Sequence, residues 1–268
     1  MLAKTLLKYF HLFVLFGKIS MMNQIASRLT FVVAVIGKII RSALLVVFFQ
    51  ALFLHVSSFA GWSFPEVLLL IAVYLTVEWA VIVTFHRNLA YWFPKTLLDG
   101  SFDFILTKPL SPLFYSSFRI VDWFDIVSVP PIVLLWVYVL SRFPWSLQVQ
   151  DIVLFVVFLL LAILFYFALL LMIASTAFWT IHATGVGRFL ENIFRAARYP
   201  TSSFRGVFRI VFLFVIPLGF VATLPVEVLL ARSSWYSMSY MIVFVAFLLF
   251  LAIRFWRFAL KHYSSASS

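Results

Sequence analysis

Long apolar runs separated by short polar stretches dominate this chain. The run from Ile152 through Val-Leu-Phe-Val-Val-Phe-Leu-Leu-Leu-Ala to Ile163 contains no polar residue. A membrane strand would alternate apolar and polar positions, whereas an unbroken run suits a helix, which satisfies its backbone hydrogen bonds internally. The pattern predicts six spans of about 20 residues each. They cover about Arg41–Ser57 (an onset at Thr30 also fits), Pro65–Phe85, Phe118–Leu140, Ile152–Phe178, Val211–Leu224 and Tyr240–Trp256. Pro130-Pro131 falls inside the third and Pro217 inside the fifth. Ahead of the spans, Leu6, Phe10, Phe13 and Leu15 share one face of an amphipathic helix suited to the membrane surface. Between spans five and six, Ala222–Leu230 stays apolar but is too short to cross again. It suits a re-entrant or interfacial hairpin, with an ordinary apolar loop as the other reading.

Composition strengthens the membrane assignment. The 268 residues are 65% hydrophobic and 11% charged, with a mean hydropathy of +1.12. Soluble domains carry about 25% charged residues, so too few polar groups are present here to coat a water-soluble fold. There are no cysteines, which excludes disulfides and thiolate metal sites.

The net charge of +11 would suit a nucleic-acid binder, but its distribution explains it better. Lys4, Lys8, Lys18, Arg28, Lys38 and Arg41 precede or open the first span. Arg87, Lys95, Lys108 and Arg119 flank the loop after the second. Arg188, Arg195, Arg198, Arg205 and Arg209 follow the fourth, and Arg254, Arg257 and Lys261 close the chain. Eighteen of the twenty basic residues thus fall on one side, leaving Arg142 and Arg232 for the other. That asymmetry marks the heavy side as cytoplasmic, with both termini inside and no nucleic acid required. Trp62, Trp92, Trp145 and Trp235 fall near span ends, as belt residues do.

Candidate chemistry is sparse. No G-x-x-x-x-G-K-[ST] phosphate loop and no H-E-x-x-H pair occurs, so the chain carries neither ATPase nor metalloprotease machinery of those kinds. Glu78 lies deep in span two, at a depth matched by Arg41 on span one. Either the two form a structural ion pair or Arg41 snorkels to the cytoplasmic face; the other reading makes Glu78 a proton relay or substrate contact. Arg119, Asp122 and Asp125 form a cluster at the entry to span three, read as interfacial salt bridges. A lipid-modifying enzyme would rest on His182 and Glu191. A proton-coupled secondary carrier would use Glu78 and Asp122, and would favour an internal repeat that the sequence lacks. A purely structural subunit is the third alternative.

The stretch from Leu97 to Pro112 holds a short amphipathic pattern between Gly100 and Pro109, fit either for a docking helix or for a connecting loop. Here the chain resembles the permease subunits of type-two ATP-binding cassette exporters of bacteria, within a subgroup of uncharacterised substrate. The signature is Gly100, Asp103, Leu106, Pro109 and Leu110 in a G-x-x-D-x-x-L-x-x-P-L pattern, with Phe102 between. Gly61-Trp62-Ser63-x-x-Glu66, Tyr199-Pro200, and the Pro217 and Pro225 pair also fit; Lys108 stands where arginine is the more frequent residue. The resemblance implies an all-α integral membrane protein of the bacterial cytoplasmic (inner) membrane. It would have an N-terminal interfacial segment (1–27), a six-helix permease domain (28–260) and a short tail (261–268). It implies a cytoplasmic coupling helix at Gly100–Pro109, with Phe102 among its contacts, docking on a nucleotide-binding ATPase subunit that holds the ATP and magnesium. It also implies a second permease subunit, identical or homologous, and outward movement of a hydrophobic or amphiphilic substrate (lipid, glycan-lipid or drug-like).

Overall fold

The computed structural model describes all residues except 1, 26–27, 144–147, 181–182 and 265–268, and leaves out the side chains of 2–6, 25, 28–31, 34 and 183–186. Trp145, His182, the tail from 265 onward and the side chains of Lys4, Leu6 and Arg28 therefore lie outside the described residues.

The described residues are helical with no strand; the turn before the second span carries one isolated bridge between Phe59 and Trp62. In chain order, α1 is Leu2–Ile25, α2 Arg28–Phe53 and α3 Phe64–Val81. Then come α4 Phe93–Leu98, α5 Phe102–Leu106, α6 Pro112–Phe118, α7 Val129–Arg142 and α8 Val149–Ser175. Last are α9 Ala183–Phe194, α10 Gly206–Ile210, α11 Thr223–Leu229 and α12 Trp235–Lys261. Among the described residues, five stretches are long and apolar enough to cross a membrane: Val35–Phe53, Phe64–His86, Trp123–Arg142, Val149–Phe178 and Trp235–Lys261.

α3 is the axis of the bundle. Ser63 and Glu66 cap its start, the Ser63 amide donating to Glu66 Oε2 at 2.8 Å, and Pro65 fits the first turn, where no amide is needed. All residues from Val67 to Leu75 are buried, so its hydrophobicity is spent on protein contacts and not on lipid. Beyond Val81 it runs on through two π turns, Ile82–His86 and Asn88–Trp92, into α4. The wider turns change which side chains face inward, and bring Asn88 against the chain at Ile120.

The third span starts later than the sequence pattern predicts. Asp122 caps a 3-10 turn, Trp123–Ser128, and Pro130 and Pro131 occupy the first turn of α7. The prolines begin the helix and do not interrupt it, because first-turn amides have no helical acceptor to lose.

α1 packs through a different stripe from the one expected. Phe10 and Leu15 point outward, while Phe16 packs on Phe114 and Tyr115 of α6 and Gly17, Ser20 and Gln24 face the chain entering α7. The Trp123 indole donates to the Gly17 carbonyl at 2.7 Å, and Gln24 bonds the backbone of Val121 and Trp123. Polar anchors three and four residues apart, invisible to a hydrophobicity scan, fix this helix.

The largest departure concerns the fifth crossing. Val211–Leu224 is not one helix: α10 and a π turn give ten helical residues ending at Val215, about 15 Å in all, and Ile216-Pro217 breaks the chain. Half a bilayer is all that such a helix reaches. The stretch from α9 onward, read from its arginines as a cytoplasmic loop, instead runs beside α3 from one end to the other. Gly187 abuts Ala90 so closely that a Cβ there would lie 2.9 Å from the Ala90 Cβ. Phe194 then packs on Phe165 and Tyr166, and Tyr199 stacks near Phe49. Finally the Ser202 hydroxyl donates to the carbonyl of Ala60, in the turn preceding α3. Twelve α-helical residues and the 3-10 turns Arg195–Arg198 and Thr201–Ser203 together reach about 30 Å, one hydrocarbon thickness. From these contacts we read Ala183–Ser203 as the fifth crossing. Its charges hid it, because Arg188, Glu191, Arg195 and Arg198 lower its mean hydropathy.

After that crossing, Gly219 returns against Thr201, and α11 is buried between α3 and α8. Arg232, just beyond α11, forms an ion pair with Glu66 at the start of α3. This hairpin enters and leaves at the Ala60 end. α1, α4, α5, α6 and the last turn of α12 gather at the opposite end, which holds both termini of the described chain.

Candidate functional site

Two arrangements carry chemistry: a polar cluster inside the bundle and the Gly100–Leu110 segment at its end.

The inner cluster grows from α3, where Tyr74 and Glu78 sit one turn apart on one face. Arg41 on α2 reaches Glu78 with two contacts, Nη2 to Oε2 at 2.6 Å and Nη1 to Oε1 at 3.4 Å, and the Tyr74 hydroxyl donates to Oε1 at 3.1 Å. The π turn then presents His86, buried, with its Nδ1 at 3.1 Å from the Tyr166 hydroxyl of α8. Its Nε2 points towards Glu191 of the fifth crossing at 3.8 Å. Glu191 also accepts from Arg195 at 2.8 Å and from Tyr91 at 3.4 Å. Burial, reinforced by the Glu191 carboxylate, pushes the Tyr91 phenol up, which keeps it a proton donor. A cavity of about 20 Å³ lies between the two halves, lined by Tyr74, Glu78, His86, Tyr166 and Glu191. Ionisable groups at this depth cost several kcal/mol when unpaired, and their concentration here makes the cluster a candidate functional region.

Sequence reasoning found Arg41 and Glu78 by matched depth but missed His86, Tyr166, Arg195 and Arg198. Only the rerouted fifth crossing brings Glu191 and the two arginines to α3, and nothing in the local pattern announces it. Glu191 does not act with His182 in any described contact, since His182 lies outside the described residues. Glu78 pairs with Arg41 and Asp122 with Arg87 at 3.2 Å, and no contact joins the two carboxylates among the described residues.

The span-three entry is also rearranged. Asp125 pairs with Lys38 and Asp122 with Arg87, while Arg119 turns away. The Arg119 Nε donates to the Tyr115 hydroxyl at 3.0 Å, and its guanidinium lies over the Phe16 ring at 5.3 Å. The three residues adjoin in sequence, but the bend at Ile120–Asp122 sends them to different partners.

The Gly100–Leu110 segment is held from inside. Asp99 accepts from the Ser101 hydroxyl and amide, which hold its carboxyl below the usual range. Gly100 turns the chain with φ +73°, a conformation that any Cβ would strain. α5 follows, with Phe102 wholly buried against Phe93, Phe178 and Tyr263 at ring distances of 5.6, 5.6 and 5.1 Å. Asp103 accepts a hydrogen bond from the Tyr263 hydroxyl at 3.0 Å. Trp256 of α12 completes the aromatic cluster on Phe93 and Phe178. Facing outward are Phe104 (72% exposed), Leu98 and Leu106, with Pro109 exposed and Leu110 half-buried beyond. Phe102 and Asp103 therefore tie α5 to the ends of α8 and α12. The outward face belongs to Leu106 and to Phe104, which the signature does not include.

A family model described as ABC-2 family transporter protein matches residues 39–267. Searches of the curated proteins and of the solved structures return no match.

Proposed function

The chain belongs to the ABC-2 transporter family, and from that premise we propose that it is the membrane half of an ATP-driven exporter, moved by a separate nucleotide-binding subunit that docks on α5. The supporting observation is the two-sidedness of that short helix. Its inner side is fixed to α8 and α12 by the Phe93–Phe102–Phe178–Trp256–Tyr263 cluster and the Asp103 hydrogen bond. Its outer side offers Phe104, Leu98 and Leu106 to a partner. A push on the outer side is delivered to two spans through close-packed rings, which transmit displacement because they cannot be compressed.

This end of the bundle is the cytoplasmic one in our reading. With Arg41, Arg195 and Arg198 inside the bundle and Arg205 and Arg209 beyond the fifth crossing, thirteen of the twenty basic residues still belong to the half that carries α5. ATP and magnesium would be held by the partner, and a second permease, identical or homologous, would complete the complex. α2, whose outer face exposes Ile36, Ile40, Leu44 and Phe48, is a surface it would use.

Affinity purification of the tagged chain in mild detergent tests the docking. The wild type should bring down an ATPase bearing a phosphate loop. Phe104→Asp should lose it with unchanged helical circular dichroism, and Tyr263→Phe should retain it. An ATPase retained at full stoichiometry by Phe104→Asp would remove α5 as the docking site.

A further inference from the structure

We propose that the chain binds a phosphodiester-headed lipid of one net negative charge, its phosphate held by Arg41, Arg195 and Arg198 and its acyl chain lying in the groove between α2 and α7. The head site is a cavity of about 280 Å³ where the fifth crossing meets α2 and α3; Arg41, Arg195 and Arg198 line it with Tyr74 and Glu78. Three guanidinium groups meet Glu78 there, and Glu191 stands outside the cavity as the partner of Arg195. Arg41 is committed to Glu78 and Arg195 to Glu191. Arg198 forms no ion pair among the described residues; its Nε donates to the Arg195 carbonyl at 2.7 Å. One positive charge is left over, at a depth where an uncompensated charge is costly. An anion restores the balance. Guanidinium forks match phosphate oxygens in geometry, and three converging cations suit a phosphate better than a two-oxygen carboxylate.

The apolar half of the site adjoins the charged half. A groove of about 570 Å³ runs between α2 and α7, lined by Ala43, Val46, Val47, Leu68, Leu134 and Tyr138. Ser42 and Leu75 belong to the walls of both cavities. A free phosphate would fill only the first, and an apolar molecule only the second. An anionic amphiphile fills both. That this lipid is what the permease handles rests on the function proposed above; its binding does not.

The test is native mass spectrometry of the purified chain, with no ATPase present, titrated with phosphatidylglycerol or phosphatidylcholine of identical acyl chains. Phosphatidylglycerol should bind at least tenfold more tightly. Arg198→Gln should remove that preference and leave phosphatidylcholine binding unchanged. Ala43→Trp, on the exposed side of α2, should weaken phosphatidylglycerol by filling the groove. Arg198→Lys, which keeps the charge and loses the fork, should fall between, and serves if the glutamine variant fails to fold. Equal binding of the two lipids by the wild type overturns the proposal, as does full preference in Arg198→Gln. Displacement of phosphatidylglycerol by millimolar inorganic phosphate with equal strength in wild type and Ala43→Trp makes this a free-anion site and overturns the lipid assignment. Because the assay contains no ATPase, its failure is separate from failure of the permease reading, which the purification above decides.

Discussion

Replacing Glu78 and Arg41 singly and together measures whether the inner cluster is a bonded unit. Glu78 lies fourteen residues beyond Phe64, about 21 Å along α3 and well inside a 30 Å hydrocarbon layer. Its side chain is 16% exposed, so Glu78→Gln leaves Arg41 facing lipid without a carboxylate. A lone arginine at the centre of a membrane helix costs about 2.5–3.5 kcal/mol on insertion scales. Arg41 is 53% exposed, and its stem can lift the charge towards the interface, which returns part of that cost. Each single glutamine variant is expected to lose about 2 kcal/mol. The double variant should lose little more, because once one charge is gone the other is better removed. Polar pairs in membranes couple by about 0.6 kcal/mol on average and about 1.7 at most. The two-pronged contact and the added Tyr74 bond place this pair near the top, at about 1.5 kcal/mol. The assay is unfolding in mixed micelles with increasing dodecyl sulfate, followed by far-ultraviolet circular dichroism. Single effects that add within about 0.5 kcal/mol would show the two residues to be independent and would refute the pairing as a source of stability.

Two further outcomes test the rerouted chain. Asn88→Ala should destabilise by about 3 kcal/mol in the same assay, since it strands the amide and carbonyl of Ile120, which Asn88 satisfies at 2.8 and 2.7 Å; a loss below about 1 kcal/mol counts against the clamp. Gly187→Ala should cost about 1–3 kcal/mol by overpacking against Ala90, and Ala90→Gly in the same chain should recover most of it; no recovery would mean that the fifth crossing does not touch the π turn Asn88–Trp92 there.

The sequence alone determined the solvent, the helical class and five of the spanning helices. Unbroken runs such as Ile152–Ile163 can satisfy their backbone in lipid in only one way, so the pattern is sufficient there. Gly100 was legible as a turn and Asp103 as part of a signature. The inward face of α5 was not legible, because Phe102 and Phe104 are the same residue type two positions apart. Only the packing against α8 and α12 tells which is core and which is surface. The fifth crossing was the least legible element. Hydropathy measures transfer to lipid, and Arg195, Arg198 and Glu191 never make that transfer. They are transferred to Glu78, Tyr91, His86 and one another, along a path that exists only once α2, α3 and α8 have assembled around it.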